Sequence, residues 1–133
     1  MHPRRVPVDD RGSSPIEFVL VGTMLTLLTL AVLQLALAVY VRNVVHDAAV
    51  EGAYYAARAD TTLHEGVERC KQAITRAVGS EYTGEVVVAT SGAPDREVVE
   101  IRVRTTLPVI GLLGVPHALE VHAHAPRESF GEE

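Results

Sequence analysis

The chain has one cysteine, no tryptophan, few aromatics (5%) and a deficit of positive charge: 133 residues carry a formal net charge of −5. Each shortage excludes something. One thiol, Cys70, closes no disulfide within the chain and builds no thiolate metal site by itself. Scarce aromatics leave no base-stacking platform and the acidic balance repels phosphate backbones, so nucleic acid is not an expected partner. No P-loop, nucleophile elbow, dinucleotide fingerprint or HExxH occurs, and no serine or carboxylate pair has a catalytic neighbourhood. The expectation is a protein that is not an enzyme and uses no cofactor. The length allows one small domain and an appendage.

What the chain does have is a long apolar run. Phe18 to Val41 reads FVLVGTMLTLLTLAVLQLALAVYV, with no formal charge; as a helix it extends about 36 Å, enough to cross a bilayer core. Thr23, Thr26, Thr29 and Gln34 are its polar members, able to bond back to the helix or across to a neighbour. Arg4, Arg5 and Arg11 precede the run, which by the positive-inside bias places the N-terminus in the cytoplasm and the rest of the chain outside. A secretory signal cut near Ala36-Leu37-Ala38 is the rival reading. The run continues through Val41, however, and follows Asp9, Asp10 and Glu17 where a signal would be purely basic, so a membrane helix fits better.

Glu17 stands directly against this run. Ser14-Pro15-Ile16-Glu17 matches a capping box, with Ser14 as N-cap and Pro15 at the first helical position, and a carboxylate there suits the helix dipole. The same carboxylate lies at the edge of hydrocarbon, where an unpaired charge is costly. A chain cut after Gly12 would supply a partner: the new α-amino group of Ser13 lies one turn from Glu17, or reaches the Glu17 of a neighbouring helix.

Gly12, the short polar stretch, Glu17, Phe18 and the apolar helix resemble the class III signal of type IV prepilins. RGSSPIEF (11–18), the apolar run and AAVEGAYYAARAD (Ala48 to Asp60) together resemble the TadE-like family, pseudopilins or minor pilins of the tight-adherence (Flp) pilus machinery. The resemblance implies cleavage by a prepilin peptidase between Gly12 and Ser13, leader recognition and assembly through Glu17 and Phe18, and other pilin-type subunits as partners in or at the base of a pilus. Pro15 departs from the small residues more usual there.

Past Arg42 the helical pattern persists. Val45, Ala49, Gly52, Ala53 and Ala56 fall on one face, and Ala49, Gly52, Ala53 and Ala56 form small-xxx-small steps that suit close helix packing, against either the chain's own head or another subunit. Thr62-Leu63-His64-Glu65 is a second capping box, opening an amphipathic helix with Leu63, Val67, Cys70, Ile74 and Ala77 on its apolar face. Cys70 is thereby expected to be a buried structural thiol; an intermolecular disulfide is the alternative.

The period then changes to two. Val86 to Val88, the turn Ser91 to Asp95, and Val99, Ile101 and Val103 alternating with charged residues predict a hairpin; Leu119, Val121, Ala123 and Ala125 alternating with Glu120, His122 and His124 predict a third strand. Glu120, His122 and His124 share a face, yet nothing in the sequence fixes further ligands, so no metal is expected. Leu107 to Pro116 (LPVIGLLGVP) is apolar and broken by Pro and Gly: a packed crossover loop, or a membrane-surface or subunit contact.

The sequence thus predicts an α+β, pilin-like protein: a cytoplasmic leader (1–12), a transmembrane and stalk helix (13–60), an extracytoplasmic head with one helix and a three-stranded antiparallel sheet (61–125), and a flexible tail (126–133). The alternative function is a permanently membrane-anchored extracytoplasmic binding module with an uncleaved N-terminus.

Overall fold

In the computed structural model, which describes residues 13–110 and 113–128, the element order is α1 (Ser13–Ala57), α2 (Leu63–Ala77), a short 3₁₀ turn (Ser80–Tyr82), β1 (Glu85–Ser91), β2 (Val98–Ile110) and β3 (Leu113–Pro126). The strands form one antiparallel sheet in the order β1-β2-β3. This is the α+β layout of a long apolar N-terminal helix, one further helix and a three-stranded sheet. The described residues up to Leu33 and those from Gln34 onward fall in two separate compact units.

In the first unit, α1 from Phe18 to Leu33 exposes its leucines, valines, Phe18 and Met24 on every side. A helix apolar all round belongs in an apolar medium, and this is the one helix among the described residues long and apolar enough to cross a membrane. The threonine hydroxyls are satisfied internally: Thr23, Thr26 and Thr29 each donate to the carbonyl four residues earlier, at 2.8 Å. The helix also starts earlier than the cap motif indicated. Ser13 and Ser14 are already helical, and no Ser14–Glu17 bond forms, so Ser14 is not the N-cap. Pro15 permits this because the first turn's amides have no helical partner to lose.

In the second unit α1 becomes one-sided. Val41, Val45, Ala48, Ala49, Ala53, Ala56 and Ala57 are buried in a single core with Cys70 and Ile74 of α2, Val99, Ile101 and Val103 of β2, and Leu119, Val121, Ala123 and Ala125 of β3. α1 ends where other groups take over its last carbonyls: the Thr61 hydroxyl donates to Tyr55 O, and the Glu128 amide donates to Ala57 O at 2.8 Å. Thr62 then caps α2, its hydroxyl accepting from the Glu65 amide at 3.2 Å while the Glu65 carboxylate accepts from the Thr62 amide at 2.7 Å. α2 buries Val67, Cys70 and Ile74 as the periodicity predicts, but Ala77, in the last turn, is exposed and Ala73 and Val78 pack instead.

Two segments differ from expectation. Leu107 to Pro116 is no crossover loop: β2 and β3 continue pairing through Leu107↔Val115, Pro108↔Gly114 and Ile110↔Leu113, forming a long hairpin. Two register shifts, one between Thr105 and Leu107 and one between Pro108 and Ile110, absorb the prolines, and His117 adopts φ 57 beside the first. Of the expected tail (126–133), residues 126–128 are tied to the head, and 129–133 lie outside the described residues. Pro126 ends β3, the Arg127 amide donates to Glu97 O at 2.8 Å, and the Arg127 guanidinium pairs with Glu97 at 2.8 Å.

The α1–α2 contact requires glycine on both sides. A Cβ on Gly52 would lie 2.7 Å from Cys70 Cβ and 2.8 Å from Gly66 O; one on Gly66 would run into Ala56 and lie 2.7 Å from Gly52 O. Gly52→Ala and Gly66→Ala should each cost about 1–3 kcal/mol through overpacking, measured by denaturant unfolding of the detergent-solubilised chain. Gly22→Ala, with nothing within 4 Å of its new methyl, should leave that unfolding unchanged.

Candidate functional site

The N-terminal turns of α1 present the residues singled out for processing and assembly. Gly12 lies outside the described residues; Ser13 opens the helix. Phe18 is 80% exposed and Ile16 71%, and Glu17 is exposed with no hydrogen bond or ion pair among the described residues. A shallow apolar groove lies beside it, lined by Pro15, Ile16, Val19, Leu20 and Thr23. The arrangement is a carboxylate set at the first turns of an apolar helix, with no cation from the described residues committed to it. An ammonium group could pair with it there, and burial of the surrounding apolar surface would strengthen the pairing by lowering the local dielectric.

The small-residue stripe has a different role. Ala49, Gly52, Ala53 and Ala56 are buried within their own unit, where α2 and the sheet fill the stripe. Polar contacts flank this packing: Glu51 accepts from Arg69 Nε at 2.7 Å, and the Arg58 and Arg69 guanidinium groups lie 5.6 and 5.9 Å from the Tyr55 ring centroid. Cys70 lies in the same contact, fully buried, and burial pushes its thiol up to about 12. The reactive species is the thiolate, so the native protein should resist maleimide labelling at pH 8 and take up one label per chain once denatured, as read by intact mass.

The outer sheet face carries a charge network. Register places Glu100 opposite His124, Arg102 opposite His122 and Arg104 opposite Glu120. His122 spans two carboxylates, Nδ1 lying 2.9 Å from Glu100 Oε1 and Nε2 3.0 Å from Glu120 Oε1, while Arg104 Nε donates to Glu120 at 3.0 Å and Arg102 Nη2 to Glu100 at 3.2 Å. The histidine face is thus occupied by its own cross-strand partners, and among the described residues no His, Cys, Asp and Glu group is arranged to hold a metal. Sequence alternation identified the face but not the pairing, because which residue of β2 opposes which of β3 is set by the hairpin register.

These contacts lower the carboxylate pKa values: Glu100 through the hydrogen bond to His122 and then Arg102, Glu120 through the bond to Arg104, and Glu65 through the Thr62 amide and hydroxyl. A lowered folded value favours folding above the ordinary carboxylate range, and the benefit disappears as pH falls through the folded values. Unfolding midpoints should therefore be flat from neutrality down to about pH 5 and decline below about pH 4.5. Combining Glu65→Gln, Glu100→Gln and Glu120→Gln should flatten the decline, measured by circular dichroism melts.

Against known proteins, no curated protein and no solved structure matches the chain. A family does match, over the segment that contains the Glu17 turn, the apolar helix and most of the small-residue stripe: residues 12–53 fit the model described as TadE-like protein, the family the sequence resembles.

Proposed function

We propose that the chain is a pseudopilin or minor-pilin-like component of tight-adherence (Flp) pilus assembly, held as a single-pass membrane protein by α1 and cut after Gly12 by a prepilin peptidase. The TadE-like match suggests a Tad pilus-associated, minor pilin-like protein and carries this reading. The exposed Glu17–Phe18 pair at the head of an apolar helix supports it. In this scheme the peptidase reads the Gly12–Ser13 junction and the Glu17–Phe18 turn. The released Ser13 α-amino group then gives Glu17 a cation within one turn or across to a neighbouring pilin-type subunit. Before assembly α1 stores the protein in the membrane, N-terminus cytoplasmic and head outside; afterwards it packs among similar helices.

No catalytic step is assigned to the chain. The head contributes a closed core of α1, α2 and sheet, and its partners are the membrane, the peptidase and the other subunits of the machinery.

Intact mass of the membrane-extracted protein, expressed with the cognate peptidase, provides the test. The expected result is a loss equal to residues 1–12, abolished by Gly12→Asp; Glu17→Ala should be cut less efficiently and, where cut, should fail to co-purify with other pilin-type subunits. An uncut wild-type chain would overturn the reading in favour of a permanently anchored outer-face binding module, with Glu17 serving only the helix dipole.

A further inference from the structure

The β2–β3 hairpin continues beyond the part of the sheet that β1 covers, and its composition changes there. β1 pairs with β2 only from Val98 to Arg104. From Thr105 to Leu119 the sequence TTLPVIGLLGVPHAL carries no formal charge, whereas the preceding outer-face positions are Glu100, Arg102 and Arg104 and the following ones Glu120, His122 and His124. Val115 is 48% exposed, Pro116 is exposed, and Leu107 packs partly on the core. Charge thus stops abruptly where the hairpin leaves the three-stranded sheet.

Its level along α1 follows from two fixed points in the second unit. Glu128 is hydrogen-bonded to Ala57 O, and Glu120, Val121 and His122 line one groove with Arg42, Asn43 and His46. From residue 128 to 121 the strand covers about 23 Å, and from Ala57 to Asn43 the helix covers about 21 Å, so β3 and α1 run alongside each other. Val115 is six residues further, up to about 20 Å of strand, and so lies on the Val41 side of Arg42. One face of α1 is covered on that side too: Val41 is buried, Ala38 and Gln34 are half-buried, and Gln34 Oε1 is enclosed with no hydrogen-bond partner among the described residues.

Arg42 is the first charge after the apolar run. We infer that the uncharged end of the β2–β3 hairpin, represented by Leu107, Val115 and Pro116, docks into the headgroup and upper acyl region of the lipid leaflet around the Arg42 end of α1, as a second membrane contact of the head. The inference rests on the proposed anchoring of α1 in a bilayer. Lipid is the occupant because the hairpin's uncharged surface is level with the end of the apolar helix that the same bilayer covers. The contact stays at the interface, since a two-stranded hairpin has unpaired edges that hydrocarbon does not tolerate, and the bulge at Pro116–His117 bends the hairpin as it leaves the sheet.

The test uses the full chain in phosphatidylethanolamine and phosphatidylglycerol vesicles, with a nitrobenzoxadiazole label on Val115→Cys, Leu28→Cys or Ala93→Cys and nitroxide lipids as quenchers. Leu28 is in the apolar run; Ala93 is exposed in the β1–β2 turn at the other end of the sheet. Buried Cys70 is the unlabelled background, and Pro116→Cys substitutes if Val115→Cys unmasks it. The expected result is a blue-shifted Val115→Cys emission quenched most by a nitroxide near the headgroup, Leu28→Cys quenched most by one deep in the acyl chain, and Ala93→Cys by neither. Leu28→Cys quenched with Val115→Cys behaving as Ala93→Cys would overturn the hairpin contact and leave the anchor standing. A blue-shifted Val115→Cys indifferent to nitroxide lipid would overturn it in favour of a second copy covering the hairpin. An unquenched Leu28→Cys would remove the anchor and the hairpin contact with it.

Discussion

The second unit depends on the near-contact of two backbones at Gly52 and Gly66. Gly66 O would lie 2.8 Å from a Cβ on Gly52, and Gly52 O 2.7 Å from one on Gly66, so neither position has room for a methyl group. Because α1 and α2 approach this closely, side chains as short as alanine fill the space between them and Cys70 sits fully buried at the centre. The sheet can then lie over both helices with Val, Ile, Ala and one Thr facing inward, Thr105 meeting its need for a partner through Tyr82 O at 2.6 Å. A larger pair of residues at the crossing would separate the helices and open voids under Ile101, whose side chain reaches to 3.0 Å of the Gly52 position.

This crossing explains why the small-residue stripe is ambiguous in sequence. Ala49, Gly52, Ala53 and Ala56 have the spacing that lets any helix approach closely, and spacing alone cannot distinguish a helix of the same chain from one of another subunit. Complementary information lay in α2, where Gly66 precedes Val67 and Cys70 on the buried face, but only the fold brings Gly66 opposite Gly52. The alternating strands were readable for the opposite reason: period two fixes which side chains face inward without reference to a partner, and Val99, Ile101, Val103, Leu119, Val121, Ala123 and Ala125 are all buried. The hairpin end was not readable, because Pro and Gly mark loops locally while bulges let a strand pass through them. At Thr62 the capping box was legible and correct, since both partners are local; at Ser14 the same motif misplaced the helix start.

Glu17 differs in physical status from the three carboxylates whose pKa values are lowered. Glu65, Glu100 and Glu120 are committed, each held by donors within its own unit. Glu17 is a carboxylate bordered by Ile16, Phe18 and Val19 with no donor among the described residues. A capping or dipole role would be served at any of the first few helical positions. Placing it against Phe18 matters only if a cation arrives from elsewhere, because a charge near hydrocarbon costs up to about 2.5–3.5 kcal/mol at the bilayer centre and less toward the edge. Pairing recovers more of that cost than it would in water. In the proposed assembly, the feature that makes Glu17 a liability in an isolated helix would make it a selective contact.

The two apolar surfaces differ in the same way from the charged sheet face. On that face Arg102, Arg104, Glu100, Glu120 and His122 satisfy one another, so it offers an incoming partner little unmatched charge and each exposed pair is worth little to stability. Such a face is well suited to water. The Phe18–Leu33 surface and the exposed Val115 and Pro116 carry no charge to be matched, and burying such surface is favoured at about 25 cal/mol per Å² of apolar area. On the proposed reading, association is driven from the apolar surfaces, and Glu17, which has no partner among the described residues, supplies the charge that an incoming cation would match.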